Sequence, residues 1–366
     1  MNAHPIPLRT KTRRLQLGVS LIELMVAMTI GSVLIYGATQ VYVNSHNAYG
    51  ANETVSRMQE TARYAMSVIE PDVRMSNFWG LLKGAGAVGG QAAQTSAAAA
   101  VAPGAAANIC GTNFAVDLST NLQGDNNSYA LSATRQAGCN SLIDIDSGAA
   151  WPTTPVTTAD TLTVRRASVF TNAAPTAGVL ELCTTRISGQ LQSDTSACSA
   201  PPVGQLNNLI VDAYYIDRNS AQLAGLPALR RKTLSSGGVL QFADQEIIAG
   251  IEDMQIQFGI DPTGITGIAT RYVNPDAVPA SAQIVAVRIW LLVRADTAEQ
   301  SFTDNHVYEY GDRLQATGVT GDLNNAGGAG MAYQPSLNPD ATLTGPRHAR
   351  RLLISRTIMV RNALGT

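Results

Sequence analysis

The sequence predicts an α+β protein in which one long N-terminal α-helix, apolar along its first half, packs on an antiparallel β-sheet head with β-rich and loop insertions. Two observations lead to this class. Residues 19–43 hold a single charged residue, Glu23. From about residue 110 onward, short alternating apolar and polar runs are separated by Gly, Asn, Asp, Ser and Pro, a pattern typical of antiparallel strands joined by turns.

The apolar segment is long enough to be a membrane helix. At about 1.5 Å per residue, residues 19–43 cover the roughly 30 Å of a hydrocarbon core. Four basic residues and no acid precede Glu23, namely Arg9, Lys11, Arg13 and Arg14. This bias predicts a cytoplasmic leader and an exported remainder. A carboxylate inside a membrane helix needs a partner, so Glu23 is a candidate functional residue.

These residues resemble the signal region of type IV prepilins (class III signal peptides). The shared features are a basic leader ending in Gly, here Gly18, then an apolar helix with Glu at its fifth mature position, here Glu23. The resemblance implies that prepilin peptidase cuts between Gly18 and Val19 and methylates the new amine of Val19. It also implies that Glu23 pairs with the N-terminal amine of a subunit in the assembling filament. Val19 departs from the Phe usual at this position.

The helix is expected to continue in amphipathic form beyond residue 43. Apolar residues recur there at steps of three and four: Val55, Met58, Ala62, Ala65, Ile69 and Val73. The opposite face is charged, so a single stripe should pack on the head. Pro71 is expected to kink or end the helix near Glu70.

Five regions are predicted. They are a cytoplasmic basic leader (1–18), a transmembrane and assembly helix (19–43), the periplasmic amphipathic half of the helix (44–75), a Gly/Ala-rich surface loop (76–107) and a periplasmic β-rich head (108–366). Residues 84–89 match the GxGxxG pattern, but they follow a helix and lie in low complexity, which disfavours a dinucleotide site. No cofactor is expected.

The head is predicted to contain ten strands. They are residues 128–133, 141–145, 161–168, 179–183, 209–217, 229–233, 239–242, 248–261, 284–293 and 350–362. The strands at 229–233 and 239–242 should form a hairpin, and residues 284–293 should be a central strand because they are almost continuously apolar. Residues 300–345 have the composition of a loop.

Two further parts of the chain resemble the minor pilin PilW family. They are the end of the helix, with QETARYA at residues 59–65, DVRM at 72–75 and FWG at 78–80, and the strand at residues 350–362. Residues 248–261 resemble both that family and the J-type pseudopilins of type II secretion.

The PilW resemblance implies a non-enzymatic minor pilin that primes a type IV pilus and joins it near the tip, in support of twitching motility and adhesion. Its implied partners are prepilin peptidase, other minor pilins, the major pilin and a tip adhesin. Its implied location is the inner membrane, crossed once with a cytoplasmic N-terminus and a periplasmic head, and then the pilus. A J-like pseudopilin of a type II secretion tip complex shares these local signals. A membrane-anchored periplasmic enzyme or binding module using residues 81–205 is a third hypothesis.

Four cysteines lie in the part predicted to be exported into an oxidising compartment: Cys110, Cys139, Cys183 and Cys198. Three pairings are open, of which the nearest-neighbour one joins Cys110 to Cys139 and Cys183 to Cys198. No CxxC spacing and no nearby His favours a metal. The formal net charge is −2, and −6 without the four basic residues of the leader, so nucleic acid is not an expected partner.

The remaining polar motifs favour ordinary surface roles. The four histidines are scattered and are expected at the surface. Residues 124–127 and 261–264 are more typical of plain turns than of calcium loops, because they lack the DxDxDG register. Five arginines near the C-terminus are expected to be solvated or to face another subunit: Arg347, Arg350, Arg351, Arg356 and Arg361.

Overall fold

The computed structural model describes residues 18–97, 113–127, 159–196, 198, 204–234, 242–323, 330–338 and 346–363. The chain divides into two units, Met1–Glu53 and Thr54–Thr366. The basic leader, the predicted strands at residues 128–133 and 141–145, and Cys110 and Cys139 lie outside the described residues.

One α-helix, α1, runs over Leu21–Met75. Within the second unit its buried residues are Met58, Ala62, Ala65, Met66, Ile69, Asp72 and Val73. They follow the three- and four-residue steps of the apolar stripe, whereas Glu60 and Arg63 on the other face are exposed. The predicted amphipathic helix is therefore confirmed, and with it the α+β class.

The helix does not end near Glu70, as Pro71 led us to expect, but continues to Met75. Proline in a helix interior costs about 3 kcal/mol. Ile69 and Val73, on either side of Pro71, are fully buried, and burying each contributes roughly 1.5–3 kcal/mol. Tertiary burial therefore outweighs the local penalty.

The described chain contains fourteen strands. They are β1 (Val88–Gly89), β2 (Leu122–Asp125), β3 (Thr161–Thr171), β4 (Glu181–Thr184), β5 (Gly189–Gln192), β6 (Gln205–Asp217), β7 (Ala228–Leu234), β8 (Phe242–Ala249), β9 (Ile251–Asp261), β10 (Arg271–Val273), β11 (Gln283–Ala298), β12 (Leu314–Thr320), β13 (Met331–Tyr333) and β14 (Ala349–Met359).

The larger sheet has eight strands around β6. Its main path is β1-β5-β4-β6-β3-β2, and β7 pairs with both β6 and β8. The pairs are antiparallel except β1 with β5, which are parallel. The predicted antiparallel head is thus confirmed for this sheet, with a short parallel exception at its edge.

The smaller sheet has the order β10-β9-β11-β14, and all its neighbours are antiparallel. Strand β11 is central, as its continuous apolar pattern predicts, and its residues Val285, Val287, Ile289 and Leu291 are fully or almost fully buried. One face of β9 and β11 packs with the buried stripe of α1 in the main hydrophobic core. The head is therefore organised around α1 and this sheet.

The strand predicted at residues 248–261 is interrupted at Gly250, which separates β8 from β9. Gly250 has φ +96°, a conformation that favours glycine, and a Cβ there would lie 3.2 Å from the carbonyl oxygen of Arg294. Its own carbonyl accepts a hydrogen bond from the Arg294 N–H at 2.8 Å. This close backbone approach turns the chain from one sheet to the other.

The hairpin of β7 and β8 is confirmed, although β8 covers Phe242–Ala249 and so extends beyond the predicted end at residue 242; residues 235–241 lie outside the described residues. Two smaller predictions were wrong. Residues 300–345 are not all loop, because β12 and β13 form a parallel pair. Residues 81–97 are not a loose surface loop, since Leu82 and Val88 are buried in a second core cluster with Trp79. In each case tertiary pairing overrides a local composition rich in turn-forming residues.

Candidate functional site

The predicted processing site lies just before the start of α1. Gly18, Val19 and Ser20 are exposed and non-helical, and the Leu24 N–H donates to the Ser20 carbonyl at 3.0 Å as the helix begins. A Cβ on Gly18 would meet no heavy atom within 4 Å. The peptide bond between Gly18 and Val19 is therefore accessible, as cleavage by a peptidase requires.

Glu23 lies in the first turn of α1, where a negative charge interacts favourably with the helix dipole. Its side chain is exposed, among exposed apolar neighbours such as Ile22 and Leu24, and it makes no hydrogen bond or ion pair with the described residues. Of the helices described, α1 is long and apolar enough to cross a membrane. The first unit thus presents an apolar helix surface with one acid near its N-terminus.

The structure joins Cys183 and Cys198 in a disulfide with a Cα–Cα distance of 5.6 Å, as the nearest-neighbour pairing predicts. Gly204 lies against it, and a Cβ there would lie 3.1 Å from the Cys198 Sγ and 3.4 Å from the Cys183 Sγ. The bond ties the chain after β5 back to β4.

Replacing both Cys183 and Cys198 with Ala is expected to lower the free energy of unfolding by about 3 kcal/mol, because the bond closes a loop of 15 residues. Denaturant unfolding of the full chain in detergent measures the change. The pair Cys110→Ala and Cys139→Ala, measured in parallel, tests the other half of the predicted pairing. An unchanged unfolding midpoint without Cys183 and Cys198 would contradict the stabilising role.

The last turn of α1 is fastened to the larger sheet by a buried acid. Asp72 accepts hydrogen bonds from Arg166 on β3, at 2.6 Å from Nη2 and 3.2 Å from Nε, and another from the Tyr214 hydroxyl on β6. Burial and the Asp72 carboxylate raise the pKa of Tyr214 well above its usual value, so this hydroxyl stays protonated. Neither partner of Asp72 was predicted.

A second buried group of charges holds the smaller sheet. Arg351 on β14 donates to both Glu252 oxygens, at 2.5 and 3.0 Å, and to Asp304 at 3.3 Å. Arg294 lies 3.4 Å from Glu252. Burial opposes ionisation of Glu252, but the two guanidinium groups outweigh it and lower its pKa. Ion pairs therefore join β14 to β9, which lies on the other side of β11 in the sheet.

Next to this group, Asp253 and Arg313 form an ion pair that is completely shielded from water. The Arg313 Nε and Nη2 atoms lie 2.6 and 3.0 Å from the two Asp253 oxygens, and the Tyr310 hydroxyl donates to Asp253 at 2.5 Å. Burial and the Asp253 carboxylate raise the pKa of Tyr310 well above its usual value. The loop before β12 is thereby anchored on β9.

Two sequence expectations about surface groups were wrong. Arg351 is not solvated, because its side chain is buried in the ion pairs with Glu252 and Asp304. Arg350 and Arg356 are partly exposed but pair with Glu299 and Glu70. His348, at the end of the 3-10 turn before β14, is buried rather than solvated, because the Phe302 carbonyl oxygen, 2.6 Å from its Nδ1, replaces water as a partner of the ring.

The sequence motifs considered as possible ligand-binding sites do not form a ligand site among the described residues. Asp261 accepts hydrogen bonds from the backbone and hydroxyl groups of Thr263 and Thr266 and from the Gly267 N–H, and these lower its pKa. Both its oxygens are thus engaged in a turn, as predicted. Within those residues no group of three or more His, Cys, Asp and Glu side chains is placed to hold a metal. The GxGxxG stretch forms a 3-10 turn and β1 rather than opening a helix after a strand.

Sequence comparison explains this combination of an apolar N-terminal helix with a β-rich head. The model of the prokaryotic N-terminal methylation motif matches residues 13–39, which contain the accessible site at Gly18 and Val19. The model of type IV pilus-assembly protein W, PilW, matches residues 213–362. Over these two segments the chain is similar to PilW-family type IV prepilins.

The PilW match begins in β6 and ends after β14, so it contains β9, β11 and the buried ion pairs of Glu252 and Asp253. Among solved structures, a type IV-like pilin from Thermus thermophilus is similar over 56% of this chain and 79% of its own, with 13% identity and a TM-score of 0.23. A comparison with curated protein sequences gives no match.

Proposed function

We propose that this protein is a minor pilin of the PilW family that primes assembly of a type IV pilus and is incorporated near the pilus tip. The observation that carries the proposal is the joint presence of the methylation motif and the PilW match in one chain. The methylation motif supports a helix that serves in sorting and assembly. The PilW match supports a head of the kind found in a pilus-assembly protein. The role is structural, and twitching motility and adhesion are the processes it would serve.

In this proposal the leader is cytoplasmic and residues 19–43 cross the inner membrane. The exposed apolar side chains of α1 are not covered by the described residues of their own unit, and they would be covered first by lipid and then by helices of neighbouring subunits. Partners are prepilin peptidase, other minor pilins, the major pilin and, at the tip, an adhesin. The PilW match favours the pilus over a type II secretion complex.

Glu23 is proposed to be the assembly contact. An exposed carboxylate on an apolar helix is costly in lipid unless a cation neutralises it. Cleavage after Gly18 would create such a cation, the amine of Val19, on each subunit. An amine of one subunit beside Glu23 of another offsets the burial of both charges.

Mass spectrometry of the purified protein tests the processing step. We expect a mature chain that begins at an N-methylated Val19, because the motif match spans the accessible bond. In the control variant Gly18→Leu the leader should remain attached, and the structure offers room for that side chain. An intact leader on the native chain, or a cut near residue 38 at the end of the apolar segment, as in a cleaved secretory signal, would overturn the proposal.

A further inference from the structure

Two buried carboxyl groups meet where the last turn of α1 lies on the larger sheet. Asp72 of α1 and Asp212 of β6 are 5% and 3% exposed. Asp212 lies two residues before Tyr214 on β6, so the two side chains are on the same face of the sheet, and the Tyr214 hydroxyl donates to Asp72. Two ionised carboxylates that are neighbours in a buried site repel each other, and a proton on one of them removes the repulsion.

The surrounding cations do not neutralise the two acids equally. Arg166 of β3 makes two hydrogen bonds to Asp72, and the hydroxyl of Tyr214 makes a third. Arg231 of β7, the cation nearest to Asp212, lies 3.7 Å away and keeps a quarter of its side chain exposed. Oδ1 of Asp212 is buried and has no hydrogen-bond partner in the described structure. The proton therefore belongs on Asp212.

We propose that Asp72 and Asp212 form a proton-dependent latch that holds the last turn of α1 on the larger sheet. The facing groups from each packed element are Asp72 of α1, Arg166 of β3, Tyr214 of β6, and Arg231 and Thr233 of β7. With a proton on Asp212, that group is neutral and the repulsion between the two acids is removed. Without it, two carboxylates face each other in a buried site and repel.

The pKa of Asp212 supports this geometry. Burial, and secondarily the Asp72 carboxylate, raises it from 3.8 to about 7, although Arg231 opposes the shift. A carboxyl group whose pKa is raised in the closed state favours that state most at low pH. The stabilisation is lost as the pH rises from about 4 to about 7. The latch is thus closed in mildly acidic surroundings and weakened above neutral pH.

Opening would affect the contacts that the last turn makes. Ile69 and Val73 are fully buried beside Asp72, and the Arg361 N–H, just after β14, donates to the Arg74 carbonyl at 3.1 Å. Weakening the latch is therefore expected to loosen this turn before the rest of the head. The inference concerns the stability of the head and does not depend on the proposed role in pili.

Hydrogen exchange of the full chain in detergent, read by mass spectrometry on peptides covering residues 66–76, tests the latch. Between pH 5 and pH 8, after correction for intrinsic exchange, the opening equilibrium should rise roughly tenfold to a hundredfold. Asp212→Asn, which cannot ionise, should abolish this dependence. Asp194→Asn, at an exposed turn, should keep it. Equal protection at both pH values, or full pH dependence in Asp212→Asn, would overturn the proposal.

A second variant keeps the test decisive if Asp212→Asn does not fold. Arg231→Gln removes the cation that lowers the pKa of Asp212 and leaves both acids in place. The midpoint of the exchange transition should then move to higher pH. A midpoint that stays the same or moves to lower pH would contradict the latch, because Arg231 would then not face the proton-binding group.

Discussion

Replacing Arg313 with Met is expected to lower the free energy of unfolding by about 3–5 kcal/mol, the usual loss when one partner of a buried ion pair is removed. The Asp253 and Arg313 side chains are fully shielded, and both Asp253 oxygens accept from the guanidinium group. The variant leaves the Asp253 charge buried with only the Tyr310 hydroxyl as a strong donor. Urea unfolding of the full chain in detergent, followed by tryptophan fluorescence, measures the loss.

The matched control is Arg356→Met, which removes the same group from an ion pair with Glu70 whose arginine side chain is 53% exposed. That change should cost at most about 1 kcal/mol. The double variant Asp253→Leu and Arg313→Met should recover most of the lost stability, because well-packed apolar residues often replace a buried pair at little cost. A loss below 1 kcal/mol in Arg313→Met would show that the pair does not hold the loop before β12.

Glu23→Val is expected to abolish or severely reduce surface pili while leaving the protein in the membrane. The substitution makes the apolar segment continuous, so insertion should be unaffected or improved. It also removes the carboxylate proposed to receive the amine of another subunit. Membrane fractionation and quantification of sheared surface pili distinguish the two effects.

Glu60→Val is the matched control for Glu23→Val. It makes the same chemical change on an exposed position of α1 outside the apolar segment, and piliation should persist. Normal piliation in Glu23→Val would refute the proposed pairing. Loss of pili in both variants would indicate that any new valine on α1 disturbs assembly, and the assignment to Glu23 would then fail.

The elements with strong periodicity could be predicted from the sequence. The apolar stripe of α1 and the continuous apolar run of β11 are both buried in the core, so the spacing of their apolar residues is enough to identify a helix and a strand. Both were placed correctly. Boundaries were less predictable, since Gly250 divides an apparently single strand and Pro71 does not end the helix. An isolated Gly in a strand pattern is a signal for such a break, whereas nothing local to Pro71 reveals the burial on either side of it.

The candidate site was only half predictable. Gly18, Val19 and Glu23 form a continuous motif, so the match to the methylation model could be expected from the residues alone. The buried ion pairs could not be predicted from the sequence. Glu252 and Arg351 are 99 positions apart, and nothing in the sequence distinguishes Arg351 from a surface arginine. The available signal was an acidic pair at 252–253 inside an otherwise apolar strand, which implies buried partners.

The ion pairs between β9 and β14 also impose an order on folding. Glu252 belongs to the ninth of the described strands, but its main partner, Arg351, belongs to the fourteenth. During synthesis every other described strand emerges first, and until β14 pairs with β11 the Glu252 carboxylate must stay hydrated or rely on Arg294 alone. Closure of the smaller sheet thus waits for β14, and until then β11 is an open edge of the sheet, where Arg288 and Arg294 supply charges that discourage premature pairing with other strands.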